Sequence, residues 1–189
     1  REKEVCLLHG VTSSGKTEIY IHLIEKALAE HKQVLYLLPE IALTVQITER
    51  LKRVFGNRLG IYHSRYSDAE RVEIWQKQLS STPYDVILGA RSAALLPFTN
   101  LGLVIIDEEH DGSYVSEGNP RYDTVEIAQF RAGYNSCPLV LGSATPSVES
   151  YYKAEKGEYK LLELPHRINN LLLPEMEVEV RLKYKGLLK

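Results

Sequence analysis

Apolar residues in this chain gather in short continuous runs, separated by longer stretches in which they recur at helical spacing. The runs are Val5 to His9, Gln33 to Leu38, Leu59 to Tyr62, Asp85 to Gly89, Leu101 to Ile106, Pro138 to Leu141 and Tyr159 to Leu164. Runs of this length, rich in Val, Ile and Leu, read as strands buried on both faces. Between the first two, Tyr20, Leu23, Ile24, Ala27 and Leu28 recur as one face of a helix. From about Thr44 to Phe55, Ile47, Leu51, Val54 and Phe55 do the same. Ser67-Asp68-Ala69-Glu70 is a capping box, in which the Ser67 hydroxyl and Glu70 carboxylate satisfy free N–H groups at a helix start. The helix it opens is expected to bury Val72, Trp75 and Leu79. Further helices are expected near Thr124 to Ala132 and from about Ser147, where a serine cap precedes Val148. Continuous strands alternating with amphipathic helices predict an α/β fold, a mostly parallel sheet with helices on both faces.

Composition narrows the class without changing the fold. A chain of 189 residues, 44% hydrophobic and 25% charged, is one ordinary globular domain with a sizeable core. The net charge of −2 excludes a generally basic nucleic-acid binder, so any such contact must come from local groups. Cys6 and Cys137 lie in or beside apolar runs without metal-binding spacing, and read as buried thiols in a reducing compartment. No apolar run is long enough to span a membrane, and the charged N-terminus is unlike a signal peptide. The chain opens at its first strand without an initiator methionine, and is expected to be part of something longer.

Chemistry enters at Gly10-Val11-Thr12-Ser13-Ser14-Gly15-Lys16-Thr17, which fits the phosphate-loop pattern G-x-x-x-x-G-K-[ST] at every specified position. The glycines let successive N–H groups of Gly10 and Thr12 to Thr17 curl toward phosphate oxygens. Lys16 would reach the β- and γ-phosphates, and the Thr17 hydroxyl would hold Mg²⁺. Strand, loop and helix occur in the required order. In such sheets ligands bind at the carboxyl ends of strands. Leu103-Val104-Ile105-Ile106 runs straight into Asp107-Glu108-Glu109-His110. Asp107 is placed to hold the Mg²⁺ that bridges β- and γ-phosphates, and Glu108 to orient the attacking water.

Asp-Glu-Glu-His resembles the box of superfamily-two, DEAH-like helicases, and the surrounding motifs resemble the primosomal replication-restart helicase family within them. Leu8 to Tyr20, Leu38 to Thr44, His63-Ser64 with Ser67, Glu70-Arg71 and Trp75, Gly89 to Ala93, Asp107 to Asp111 and Gly142 to Ser147 follow that family's order and spacing. The resemblance implies a RecA-like P-loop ATP-binding lobe over residues 1–167, binding ATP and Mg²⁺. Residues 168–189 read as a connecting segment or a tail of foreign origin. The function implied is an ATP-dependent DNA helicase of the bacterial cytoplasm, acting in replication restart and primosome assembly at stalled forks. The partners implied are single-stranded or forked DNA and, through the full-length protein, primosome and single-strand-binding proteins; no membrane is involved. Zinc is implied only in a cysteine-rich insertion outside this chain. The second lobe and its γ-phosphate arginines are also missing, so the lobe alone is expected to have little or no activity.

His110, Ser143 and Thr145 are the expected coupling residues, exchanging hydroxyl partners when the phosphate leaves. Pro39, Thr44, Ser64, Arg91 and Ser92 follow strands or start helices, where free N–H groups can take DNA phosphates. Tyr114, Arg121 and Tyr122 lie in a stretch resembling the family's aromatic-rich, DNA-sensing loop, where rings could stack on bases of any sequence. Val125 stands where the family has arginine. Two other classes are open: a translocase that remodels DNA or RNA without unwinding, and a nucleotide-gated interaction domain.

Overall fold

The computed structural model describes residues 4–11 and 14–165. The elements follow as β1 (Val5–Gly10), α1 (Lys16–Ala29), β2 (Gln33–Leu37), α2 (Val45–Phe55), β3 (Leu59–Tyr62), α3 (Asp68–Leu79), β4 (Val86–Gly89) and β5 (Leu101–Ile106). Two short strands, β6 (Val115–Ser116) and β7 (Tyr122–Asp123), then precede α4 (Thr124–Asn135), β8 (Leu139–Ser143), α5 (Val148–Glu155) and β9 (Lys160–Leu164). Seven strands form one sheet in the order β3-β4-β2-β5-β8-β1-β9, and every pair in it is parallel. β6 and β7 pair separately as a small antiparallel ribbon.

The alternation of a strand sends neighbouring residues to opposite faces, and both faces here are covered. Val34, Tyr36, Leu88 and Ile105 pack beneath α1 and α2, against Tyr20, Ile24, Leu51 and Phe55. Leu35, Leu37, Ile87, Val104 and Ile106 pack on the other side with Ala128 and Ala132 of α4 and with Ala93, Ala94 and Leu96. Burial pushes the Cys6 thiol up to about 12 and the Cys137 thiol up to about 11, so both stay protonated and inert at neutral pH.

The expected alternation of strands and helices is present, with the capping box: Glu70 N donates to Ser67 Oγ at 3.3 Å and Ser67 N to Glu70 Oε2 at 2.7 Å. The burial expected of α3 is not. Val72, Trp75 and Leu79 are 52%, 42% and 63% exposed. The inward side carries the half-buried Ile74 and the fully buried Gln78. The Gln78 amide donates to Pro97 O at 3.3 Å and accepts from Tyr84 N at 2.9 Å. Buried loop backbone must find partners, and an amide meets that need where an apolar side chain cannot. Val54 on α2 is likewise 43% exposed, while Leu51 and Phe55 are buried. Residues 166–189, including the expected tail, lie outside the described residues.

What this topology does for function follows from the middle of the sheet. β5, β8 and β1 are neighbours. The loops leaving their carboxyl ends are therefore side by side, and those loops carry the phosphate motif, the acidic box and Ser143 to Thr145.

Candidate nucleotide site

β1 ends at Gly10, and α1 starts at Lys16 with Gly15 as its cap at φ 86°. A left-handed φ suits glycine. A Cβ on Gly10 would lie 2.5 Å from Ser14 Oγ and 3.2 Å from Lys16 Cγ, so the loop closes tightly only with glycine there. Lys16 is buried, and its Nζ donates to Gly10 O at 2.9 Å. Ser14 is 2% exposed and, among the described residues, its hydroxyl has no hydrogen-bond partner. Thr12 and Ser13 lie outside the described residues. An unpartnered buried hydroxyl, a lysine resting on a loop carbonyl and the free N–H groups of a helix N-terminus fit a bound phosphate chain.

The acidic box stands beside this loop. Asp107 N donates to Leu37 O at 3.0 Å, continuing the sheet one residue past β5. Glu108 then turns the chain at φ 51°, a left-handed conformation unusual for glutamate, of the kind found where a functional side chain must be re-aimed. The Tyr20 hydroxyl donates to Asp107 Oδ1 at 2.8 Å, and the Tyr114 hydroxyl to Asp107 O at 2.6 Å. Burial holds the Asp107 carboxyl above its ordinary range, opposed by the Tyr20 hydrogen bond and the charge of Lys16. A half-buried, oriented carboxylate and the hydroxyl of Thr17 in the first turn of α1 are suitable oxygen donors for Mg²⁺. Lys16 and Thr17 thus open α1 after the loop that leaves β1, and Asp107 and Glu108 follow β5, the two strands flanking β8.

The structure also brings His110, Ser143 and Thr145 together. His110 Nδ1 lies 2.6 Å from Ser143 Oγ, and Nε2 3.4 Å from Thr145 Oγ1. Thr145 N donates to Ser143 Oγ at 2.9 Å, and His110 Nδ1 is 3.7 Å from Glu108 Oε2. One imidazole therefore touches both the acidic box and the loop after β8.

Two residues at this site have roles that the hydrophobic pattern does not reveal. Glu109 is 6% exposed; it accepts from Ser147 N at 2.7 Å, Ser147 Oγ at 3.2 Å and Ser150 Oγ at 3.0 Å. It fastens the acidic box to the start of α5, where a negative charge meets the helix dipole. Tyr20 reads in sequence as one more core residue of α1. Its only hint is a phenol head at a position where leucine would pack, since a buried hydroxyl needs a partner.

The DNA candidates divide. Pro39 precedes a 3₁₀ turn at Glu40–Ala42, and Thr44 caps α2 by accepting from Ile47 N at 3.4 Å. Ser64 Oγ donates to Glu40 Oε1 at 2.9 Å, joining the loops after β2 and β3. Ser92 follows β4 in the 3₁₀ turn Arg91–Leu95. Arg91 Nη1 donates to Ser113 O at 3.1 Å and Val115 O at 3.2 Å, and its guanidinium lies 6.0 Å from the Tyr122 ring centre. Part of Arg91 is thus a strut for the 112–123 segment. Arg121 is exposed and Tyr122 half-buried. Tyr114 departs from expectation: at 1% exposure, with its hydroxyl on Asp107 O, it offers no ring face to a base. The same polar head that makes it look like a surface aromatic is satisfied inward.

A parallel sheet with a phosphate loop after β1, an acidic box after β5 and a serine–threonine loop after β8 defines an ATP-binding helicase lobe. The sequence profile of the DEAD/DEAH box helicase family matches residues 1–154, and the chain belongs to that family. It is similar to "Replication restart protein PriA" of Bacillus subtilis (strain 168), 50% identical over 177 residues, 94% of this chain and 22% of that protein. The protein of the same name from Synechocystis is 42% identical over 177 residues, 91% of this chain and 21% of that protein. The chain thus spans about a fifth of the length of these relatives (22% and 21%). Among solved structures, the helicase domain of Pyrococcus furiosus Hef superposes with a TM-score of 0.62 at 22% identity, covering 89% of this chain and 36% of that one. That likeness shows the fold. Among the described residues no helix is long and apolar enough to cross a membrane.

Proposed function

We propose that this chain is the ATP-binding lobe of an ATP-dependent DNA helicase acting in replication restart. The observation that carries the proposal is the placing of Lys16 after β1 and of Asp107 and Glu108 after β5, the strands that flank β8, in a chain 50% identical to a replication restart protein. Lys16 would leave Gly10 O to meet the phosphates, and Thr17 and Asp107 would hold Mg²⁺, which would supply neutralisation of phosphate charge. Glu108 orients water, and the His110–Ser143–Thr145 cluster senses whether the γ-phosphate is present. Full-length function at stalled forks, with primosome and single-strand-binding partners, belongs to the same reading.

Lys16→Ala tests the site directly. Removing a charge-assisted contact to phosphate should weaken ATP binding by about a hundredfold or more while the melting temperature holds. Equilibrium dialysis with ATP decides it, and unchanged affinity would refute the assignment.

DNA is expected to run along the loops after β2, β3 and β4, at Pro39, Thr44, Ser64, Arg91 and Ser92, and over Arg121 and Tyr122. Contacts of this kind grip the sugar–phosphate backbone without reading sequence, which suits a motor that slides. Arg121→Ala should weaken single-stranded DNA binding to a similar degree for all sequences, lowering the salt slope by about one. An unaltered slope removes Arg121 from the path.

A further inference from the structure

Tyr20 lies one helical turn beyond Lys16 on α1 and is fully buried. Its hydroxyl reaches across the sheet to Asp107 Oδ1 at 2.8 Å. Several elements shape the space it occupies. The Tyr36 ring on β2 packs edge-on against it, with centroids 5.4 Å apart. Gly142 on β8 bears no side chain where a Cβ would collide with the Tyr20 hydroxyl and sit 2.8 Å from Asp107 Oδ1. The backbone of Asp107 is pinned from both sides, its N–H on Leu37 O and its carbonyl under the Tyr114 hydroxyl. So the main chain of this carboxylate is fixed by two bonds and its head group by a third.

The donor type matters. A lysine or arginine at this place would orient the carboxylate and also neutralise it, lowering its attraction for a cation. A phenol donates one neutral hydrogen bond and leaves the negative charge available. Groups that ligate metals are commonly oriented by just such outer partners.

The geometry points to Tyr20 as a positioning residue for the metal: it holds one oxygen of Asp107 so that the carboxylate meets Mg²⁺ in a single orientation. This rests on the nucleotide-binding reading above. Metal affinity, rather than nucleotide affinity, is then the quantity Tyr20 sets.

The test follows binding of a fluorescent ADP to the chain as Mg²⁺ is raised from an EDTA-buffered start. Tyr20→Phe keeps the ring and removes only the donor. It should raise the Mg²⁺ concentration needed for half-maximal effect by about tenfold, the scale on which second-shell partners act. Metal-free nucleotide affinity should stay within about twofold and the melting temperature within a few degrees. Gly142→Ala approaches the same contact from β8, displacing the hydroxyl while retaining the tyrosine, and should raise the Mg²⁺ requirement too. In an Asp107→Asn background, Tyr20→Phe should add nothing, because it acts through that carboxylate. An unchanged Mg²⁺ requirement in Tyr20→Phe overturns the proposal. So does a parallel loss of metal-free affinity and thermal stability, which would mark a packing role. If the unmutated chain binds nucleotide with no Mg²⁺ dependence at all, the nucleotide-site reading itself falls and takes this inference with it.

Discussion

Glu108→Gln in the full-length protein is expected to bind ATP normally and to hydrolyse it about 10²–10⁴-fold more slowly, the range a positioned acid–base group supplies. The residue follows the half-buried Asp107 carboxylate, and its backbone is held at φ 51°. That turn aims consecutive side chains differently, leaving Asp107 among buried donors and Glu108 about two-thirds buried at 34% side-chain exposure. Glutamine matches the shape and cannot take a proton or orient water by charge, while Lys16 and the loop N–H groups still bind phosphate. Nucleotide affinity by fluorescence and phosphate release by a coupled assay separate the two effects. Full hydrolysis in the variant would remove Glu108 from the mechanism. His110→Ala gives the contrast. It leaves both carboxylates in place and cuts the link to Ser143 Oγ at 2.6 Å, so basal hydrolysis should survive and its stimulation by DNA should fall.

Much of this was legible along the chain because the relevant signals are local. A fully buried parallel strand is a continuous apolar run, and its carboxyl end is marked where the run stops. Gly10 to Thr17 and Asp107 to His110 each announce themselves beside such an end. What was not legible depends on pairing across the fold. On α3, Val72, Trp75 and Leu79 repeat at helical spacing, and so do Arg71, Ile74 and Gln78 one residue earlier. Only the backbone of the Tyr84 and Pro97 segments, reaching for the Gln78 amide, decides which stripe turns inward. Tyr20 and Asp107 are 87 residues apart, and Glu109 finds Ser150 at 41. Tyr114 has the composition of a loop aromatic, yet its hydroxyl has an inward partner in the Asp107 carbonyl. Polar side chains on one long strand-end loop give no hint in sequence of which will turn in.

Asp107→Asn should separate stability from function most sharply. Burial raises the carboxyl above its ordinary 3.8, and the Tyr20 bond and Lys16 charge only partly compensate. An acid whose folded-state value is raised holds its proton longer in the folded chain than in the unfolded one. Its favourable contribution is therefore complete below the ordinary value and is lost as pH rises through the raised one, so at neutral pH the ionised group costs stability. Asparagine is neutral and nearly isosteric, and its carbonyl oxygen can still accept from Tyr20. The nucleotide-free variant should thus be more stable than the parent at pH 7, with the difference shrinking as the pH is lowered toward 3.8. Magnesium binds a neutral amide oxygen far less well than a carboxylate, so the metal-dependent part of nucleotide binding should largely disappear. Thermal melts across pH and a Mg²⁺ titration of nucleotide binding check the two halves. A lower melting temperature at pH 7 would show that the ionised Asp107 carboxylate stabilises the fold, and an intact Mg²⁺ dependence would remove it from the metal site.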